Sequence, residues 1–175
     1  IAAQTQRVKL GTICLATFPM RNPIKLAIQW ASLDILCRGR TILTVCNGAS
    51  ANDGPQFAKE LEVMGIQSNE RVGRLIEGIK ILRSAWTGER FSHEGKYYNF
   101  TDALVAPTPV QKKMPIWIAF NPREEQGIDP KIVDRGLRRV ARYADGWQTD
   151  GTPPERFRQR FESIKEYAAE EGRDD

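Results

Sequence analysis

The order of apolar segments along the chain limits its fold more than any other feature. Four short segments rich in β-branched and apolar residues resemble buried strands, and each is followed by a segment with helical periodicity. Such alternation predicts an α/β fold whose parallel strands are joined by right-handed crossovers. The predicted strands are residues 7–18, 41–46, 114–120 and 144–149.

Capping residues predict where several of the helices begin. Asn22 is the expected cap before Pro23, which suits the first helical turn. Asp129-Pro130 is expected to start another helix. Thr152 and Glu155 form a capping box before the last helix. Gly88 and Gly172 are the expected stops of the longest and the last helix. The predicted helices are residues 22–36, 56–64, 69–86, 129–143 and 152–171.

The charge balance, the apolar runs and the cysteines exclude several classes of protein. Lys and Arg number 26 against 22 Asp and Glu, and the basic residues are mixed with acids, so no nucleic-acid partner is expected. No apolar run approaches the roughly 20 residues that span a membrane, and no signal peptide is visible. Cys14, Cys37 and Cys46 have no metal-like spacing and are predicted to be buried reduced thiols, which favours a cytoplasmic protein without a metal.

The pattern after the longest helix changes to strand, turn and strand, which predicts a hairpin around Glu94-Gly95. The only histidine, His93, lies in this hairpin, where a solvated side chain is expected rather than a catalytic one. Glu60, Glu62 and Glu77 fall on predicted helices and are interpreted as surface residues.

Two α/β architectures fit the alternation. A doubly wound nucleotide-binding sheet normally carries a glycine-rich phosphate loop after a strand. Neither G-x-G-x-x-G nor G-x-x-x-x-G-K-S/T occurs in this sequence. In a (β/α)8 barrel the site lies at the carboxyl ends of the strands. Those ends carry small, amide or hydroxyl residues, which suit a flat ring resting on the backbone better than acid–base chemistry.

The motifs in this order resemble the bacterial luciferase-like flavin monooxygenase superfamily. The resemblance begins with RVKLGTICLATFPMRNPIKLAIQWASLDILCRGRTIL, whose L-G-T, R-N-P and L-D-x-L-x-x-G-R elements follow the family pattern. It continues through RVGRLIEGIKILRSAWTGERFSHEGKYYNF, PTPVQKKMPIWIAF, RRVARYADGW and the terminal GRD, and so covers almost the whole chain. It implies a TIM barrel that binds FMN or, alternatively, the deazaflavin coenzyme F-420. It also implies hydride transfer or oxygenation of a small organic substrate, most often as a flavin-dependent monooxygenase.

The resemblance assigns candidate cofactor contacts to the strand ends and leaves the catalytic residues unknown. Asn52 is the candidate amide partner for the ring edge, and the start of the last helix is the candidate phosphate site. Trp147, in the family's D-G-W element, is interpreted as a core residue. Asp34, Gly39 and Arg40 are placed in a helix-to-strand turn that serves stability. The implied contacts are Ala16, Thr17, Cys46, Asn47, Gly48, Asn52, Ala119, Phe120, Asn121 and Thr149.

Four core strands are fewer than the eight of a complete barrel. The resemblance makes them the third to sixth strands, so residues 1–175 are expected to be one barrel domain that is incomplete at both ends. Such a domain exposes sheet edges, so the chain is expected either to be a fragment of a longer protein or to pair with a second copy as a homo-oligomer. The alternative is a non-catalytic, truncated flavin-binding or assembly-dependent structural domain. That alternative is favoured by the missing strands and by Thr44 and Cys46, which replace glycines of the family pattern.

Overall fold

The computed structural model describes residues 1–49, 54–123 and 127–173 of the chain. These residues group into two compact units, residues 1–114 and 115–175. The first unit holds β1 (Leu10–Gly11), α1 (Pro23–Leu36), β2 (Thr41–Val45), α2 (Pro55–Val63), α3 (Arg71–Ala85), β3 (Phe91–Glu94) and β4 (Asn99–Ala103). The second holds β5 (Ile116–Ala119), α4 (Pro130–Tyr143), β6 (Gly146–Gln148) and α5 (Pro154–Glu170).

The two strands that open the first unit run parallel, as the alternation predicts. Leu10 lies opposite Thr41, and an isolated bridge joins Leu15 to Val45 further along. β2 matches its prediction, but the predicted strand over residues 7–18 is regular only at Leu10–Gly11. Val8 and Ile13 are 52% and 84% exposed, because the apolar alternation breaks phase between Leu10 and Ile13.

The core of the first unit lies where α1 and α3 pack together. Asn22 caps α1 as predicted, accepting a hydrogen bond from the Lys25 N–H at 3.1 Å. Trp86 donates its indole N–H to the carbonyl of Ala27 at 3.1 Å. The buried face of α1 is centred on Leu26, Ala27, Trp30 and Ala31, whereas Ile28, Ile35 and Leu36 of the same helix are exposed.

The turn between α1 and β2 is a buried polar cluster. The fully buried Asp34 carboxylate accepts hydrogen bonds from the Thr41 hydroxyl at 2.6 Å and from the backbone and side chain of Gln111. Arg40, only 8% exposed, donates to the carbonyls of Cys37, Val8, Ala2 and Thr5. Gly39 has φ +72°, in the left-handed region that favours glycine. This network agrees with a stabilising role for Asp34, Gly39 and Arg40.

The hairpin forms at the predicted position. β3 and β4 are antiparallel, with Glu94 opposite Asn99. The Asn99 side chain closes the turn, since it accepts the Gly95 N–H at 3.1 Å and donates to the Gly95 carbonyl at 2.9 Å.

The second unit is a β–α–β–α arrangement in which β5 and β6 run parallel. Ile118 lies opposite Trp147, and the indole N–H of Trp147 donates to the Phe120 carbonyl at 2.8 Å. α4 starts where it is predicted, and the Asp129 side chain caps it by accepting from the Lys131 N–H. The apolar side chains of Ile116, Ile118, Leu137, Val140 and Ile164 are buried in this unit.

The start of α5 differs from its prediction. The helix begins at Pro154 with Pro153 in the capping position, and no side chain caps it. Thr152 therefore does not form the predicted capping box with Glu155. Its hydroxyl lies 2.6 Å from that of Thr149 and also donates to Asn121 Oδ1, so the side chain is held by the β6 end instead.

Candidate functional site

Small residues from the ends of β1 and β2 meet in the first unit. Ala16 and Thr17 follow the Leu15–Val45 bridge, and Cys46, Asn47 and Gly48 continue from β2. Gly48 has φ +72°, and a Cβ atom built on it would lie 2.5 Å from the Ala16 carbonyl oxygen. Only glycine allows this approach, so the structure brings these predicted residues together.

Arg71 holds the loop that carries Gly48. From the first turn of α3 its guanidinium donates to the carbonyls of Gly48 and Ala49 at 3.0 Å and 2.8 Å. Its Nε–H also donates to the Ser68 carbonyl at 3.0 Å. Arg71 was not among the predicted site residues. Its partners are backbone carbonyls 22 and 23 residues away, and such contacts leave no pattern in the sequence.

Two thiols meet beside the same glycine. Cys46 Sγ lies 3.2 Å from Cys14 Sγ and accepts the Gly48 N–H at 3.4 Å. Burial and the hydrogen bond to Cys14 raise the pKa of Cys46 to about 12, outweighing the Gly48 N–H and the Arg71 charge, which lower it. The prediction of three buried thiols is confirmed only for Cys37. Cys14 is exposed and Cys46 beside it is half-buried, because the segment that carries Cys14 is not a regular strand.

An open cleft of about 610 Å³ begins at Thr17. The Thr17 hydroxyl accepts from Arg21 Nε at 2.9 Å, which fixes the guanidinium over the short helical turn that follows β1. The lining combines an apolar floor with two cations and one carboxylate, and consists of Thr17, Met20, Arg21, Gln56, Lys59, Glu60, Val63 and Met64.

In the second unit, the predicted residues Asn121 and Thr149 belong to a polar cluster. Thr149 donates its hydroxyl to Asn121 Oδ1 at 2.8 Å, and the Asn121 amide donates to the Asp150 carboxylate. The Phe120 side chain packs against Gly136 of α4, and its N–H donates to the Gln148 carbonyl at 3.0 Å. Ala119 ends β5 and is half-buried.

The chemistry of the α5 start does not favour a phosphate. Pro153 and Pro154 have no N–H, and the Phe157 N–H already donates to the Pro153 carbonyl. The Asp150 carboxylate beside Asn121 adds a negative charge. The groups that the structure brings together at this end of the second unit are the Asn121 amide and the hydroxyls of Thr149 and Thr152.

Asn52 lies outside the described residues, so its predicted contact with a ring edge stays a prediction. Asn47 is half-buried between Cys46 and Gly48. Among the residues that the structure describes, no three His, Cys, Asp or Glu side chains lie close enough to hold a metal ion. In the same residues no helix has the length and apolar character to cross a bilayer.

His93 and Glu77 differ from their predictions. The His93 side chain is 15% exposed and stacks on Phe100 at 5.9 Å, so it is not solvated. Glu77 is 14% exposed and accepts three backbone N–H groups of the hairpin turn, so it is not a surface residue. Both errors arise because the helix pattern carries no information about the hairpin that packs on it.

Comparison with known proteins gives consistent results at the level of family. The family model described as luciferase-like monooxygenase matches residues 1–175. The chain is 36% identical over 119 residues to F420-dependent glucose-6-phosphate dehydrogenase of Kineococcus radiotolerans, covering 68% of this chain and 34% of that protein. The same enzyme of Microbacterium testaceum is 32% identical over 162 residues, covering 92% and 43%.

A third relative is the phthiodiolone/phenolphthiodiolone dimycocerosates ketoreductase of Mycobacterium tuberculosis. It is 30% identical over 172 residues, which cover 96% of this chain and 40% of the relative. The chain thus spans 34–43% of the length of these three curated relatives.

Two solved structures have the same fold at lower identity. An F420-dependent secondary alcohol dehydrogenase in complex with an F420-acetone adduct matches with a TM-score of 0.77 and 20% identity, covering 99% of this chain and 48% of that one. The FMN-bound oxygenating constituent of 3,6-diketocamphane monooxygenase from Pseudomonas putida matches with a TM-score of 0.72 and 22% identity, covering 98% and 46%. These likenesses confirm the predicted α/β class, a partial (β/α)8 barrel.

Proposed function

This chain belongs to the luciferase-like monooxygenase family, and on that basis we propose that it forms part of an oxidoreductase that transfers hydride between coenzyme F-420 and a small organic substrate. The relatives at 32–36% identity are F420-dependent dehydrogenases, which supports the deazaflavin over FMN. The sequence alone had favoured FMN, with coenzyme F-420 as the alternative. Since the chain spans less than half of each relative, the activity of the whole protein is part of the proposal.

The packing of Gly48 against Ala16 carries the cofactor part of the proposal. A flat ring needs a surface without projecting side chains, and the ends of β1 and β2 supply one through Ala16, Gly48 and Ala49. These strand ends present the carbonyl oxygens of Gly48 and Ala49 and the two thiols, which fit a neutral ring face better than a phosphate.

When bound, the deazaflavin supplies the carbon that accepts or releases hydride. The chain's own residues would place the ring and exclude water. Arg71 fixes the carbonyls of Gly48 and Ala49, which keeps the ring surface in one conformation. In the adjoining cleft, Met20 and Met64 would exclude water from a substrate, while Arg21 favours an anionic substituent.

A matched pair of glycine variants tests the ring surface. Gly48→Ala adds a Cβ against the Ala16 carbonyl, whereas Gly65→Ala is made at a similar positive φ, +67° against +72°, with nothing within 4 Å. Titration of the purified chain with coenzyme F-420, followed by fluorescence, is expected to show at least about tenfold weaker binding for Gly48→Ala only, or about 1.4 kcal/mol. Equal effects of the two variants would overturn the assignment of the ring surface.

A flavin-dependent monooxygenase that uses FMN is the second candidate. The description of the family model favours it. The same titration with FMN separates the two candidates, because the proposal requires tighter binding of the deazaflavin.

Absence of binding by either cofactor up to about 100 µM, weaker than about 5.5 kcal/mol, would favour the non-catalytic structural domain instead. The homo-oligomer stays a prediction, which size-exclusion chromatography checks: a monomer across the accessible concentration range would contradict it.

A further inference from the structure

Cys14 and Cys46 are close enough to react with each other. Their Sγ atoms lie 3.2 Å apart, and both cysteines are free. A disulfide has an S–S distance of about 2.0 Å, so the sulfurs would need to approach by about 1.2 Å.

The two thiols differ in their access to solvent. Cys46 follows β2 directly and accepts the Gly48 N–H. Cys14 is exposed and lies between β1 and the bridge at Leu15, outside any regular element. Cys14 therefore has the access to solvent that an oxidant requires, and the hydrogen bonds of Thr12 and Leu15 to the Thr44 carbonyl hold its segment beside Cys46.

We propose that Cys14 and Cys46 are a peroxide-sensitive dithiol that closes to an intrachain disulfide at the carboxyl ends of β1 and β2. The co-reactant is a hydroperoxide, ROOH. The Cys14 thiolate attacks one peroxide oxygen, the O–O bond breaks, and the leaving alkoxide takes a proton to become ROH. The Cys46 sulfur then attacks the sulfenic acid on Cys14 and displaces water. The two thiols lose two electrons and two protons, and the peroxide is reduced to ROH and water.

The surroundings of the two thiols assign their roles. The raised pKa of Cys46, about 12, keeps this thiol protonated at neutral pH, so it does not attack the peroxide first. Its S–H lies against Cys14 Sγ, in position for the second step. The Gly48 N–H and the Arg71 charge favour the thiolate that develops on Cys46 as the new bond forms. Cys37, fully buried, is an internal control.

Trypsin separates the three thiols, which allows a direct test. Cleavage after Lys9, Arg21, Lys25, Arg38, Arg40 and Lys59 puts them on the peptides 10–21, 26–38 and 41–59. After treatment with hydrogen peroxide and alkylation, the intact 175-residue chain is expected to yield peptides 10–21 and 41–59 joined, about 2 Da lighter than their sum. Peptide 26–38 should be alkylated in full once the chain is unfolded.

Two variants and an isotope mixture complete the test. Cys14→Ser and Cys46→Ser should each abolish the joined peptide, with folding checked by circular dichroism. Oxidising a mixture of unlabelled and nitrogen-15 chains should give only all-light and all-heavy pairs, as an intrachain bond requires. Mixed pairs would overturn the proposal. Oxidation of Cys14 to a sulfinic acid, about 32 Da heavier, without any joined peptide would overturn it as well. None of these measurements depends on a bound cofactor.

Discussion

Glu77 of α3 and His93 of β3 lie 3.5 Å apart, measured from Oε2 to Nε2, and they join the hairpin to the helix. The same carboxylate accepts the backbone N–H groups of Lys96, Tyr97 and Tyr98 at 2.9–3.2 Å. One acidic side chain thus accepts hydrogen bonds from three consecutive backbone N–H groups of the turn. Gly95 leaves room for it, because a Cβ there would overlap the Glu77 carboxylate.

Replacing Glu77 by Gln should destabilise the first unit. The substitution removes the charge that strengthens three hydrogen bonds and turns an amide N–H₂ toward backbone donors. We expect the free energy of unfolding, measured with urea, to fall by about 1.5–3 kcal/mol.

Glu62→Gln is the matched control, since Glu62 is 69% exposed and pairs with Lys59 on the surface. Its effect should remain within about 0.5 kcal/mol. Equal losses in the two variants would mean that the turn does not depend on Glu77.

The contribution of Glu77 should depend on pH. Burial raises the pKa of this carboxyl, but the three backbone N–H groups and His93 outweigh burial, so the pKa lies below its ordinary value of 4.5. A group with a lower pKa in the folded state binds its proton more readily when unfolded. Its stabilisation is therefore complete above pH 4.5 and is lost as the pH falls through the folded-state pKa.

The measurement is the difference in unfolding free energy between the parent chain and Glu77→Gln at pH 7 and at successively lower pH. The difference should shrink below pH 4.5. A difference that stays constant through the acid range would show that ionised Glu77 has no special role.

Asp34→Asn tests the buried turn between α1 and β2. The carboxylate is fully buried and accepts hydrogen bonds from Thr41, Val110 and Gln111. In Asp34→Asn the two N–H bonds of the new amide would point at these donors instead of accepting from them. We expect a loss of about 3 kcal/mol in unfolding free energy, because at least one buried donor becomes unsatisfied.

Asp102→Asn is the control for this substitution, since Asp102 is 72% exposed and pairs with Arg90 on the surface. Asn also tolerates the positive φ of that position. Similar thermal unfolding of the two variants would argue against a structural role for Asp34.

The features that the sequence predicted well are local ones. The Asn22 cap and the helix start at Asp129-Pro130 are confirmed, because a capping side chain bonds to N–H groups only two or three residues away. β2 matches because its apolar run is buried on both faces, whereas the predicted strand over residues 7–18 shortened to two residues where its alternation lost phase. Thr152 failed as a cap because the β6 end competed for its hydroxyl.

The candidate site was predictable only in part. Small residues at strand ends can be read from composition, and Gly48 does lie against Ala16. The partners that hold or accompany them cannot, since Arg71 lies 23 residues from Gly48 and Cys14 lies 32 residues from Cys46. Such pairs depend on how segments pack, which no local pattern encodes.

Arg71→Met should weaken cofactor binding by disordering residues 46–49 after β2, which we call the Gly48 loop. The guanidinium holds two adjacent carbonyls at once, which a methionine cannot do. We expect the Kd for coenzyme F-420 to rise about tenfold, or about 1.4 kcal/mol. Arg71→Lys should fall between, because an ammonium keeps the charge but lacks the fork that reaches both oxygens.

Amide hydrogen exchange gives a readout of the same loop without cofactor. Exchange in a peptide covering residues 41–49 should be faster in Arg71→Met than in the parent chain, and unchanged in Arg90→Met, whose side chain pairs with exposed Asp102 in the hairpin. Faster exchange with an unchanged Kd would separate the loop from cofactor binding. Unchanged exchange would instead show that the Gly48 loop keeps its conformation without Arg71.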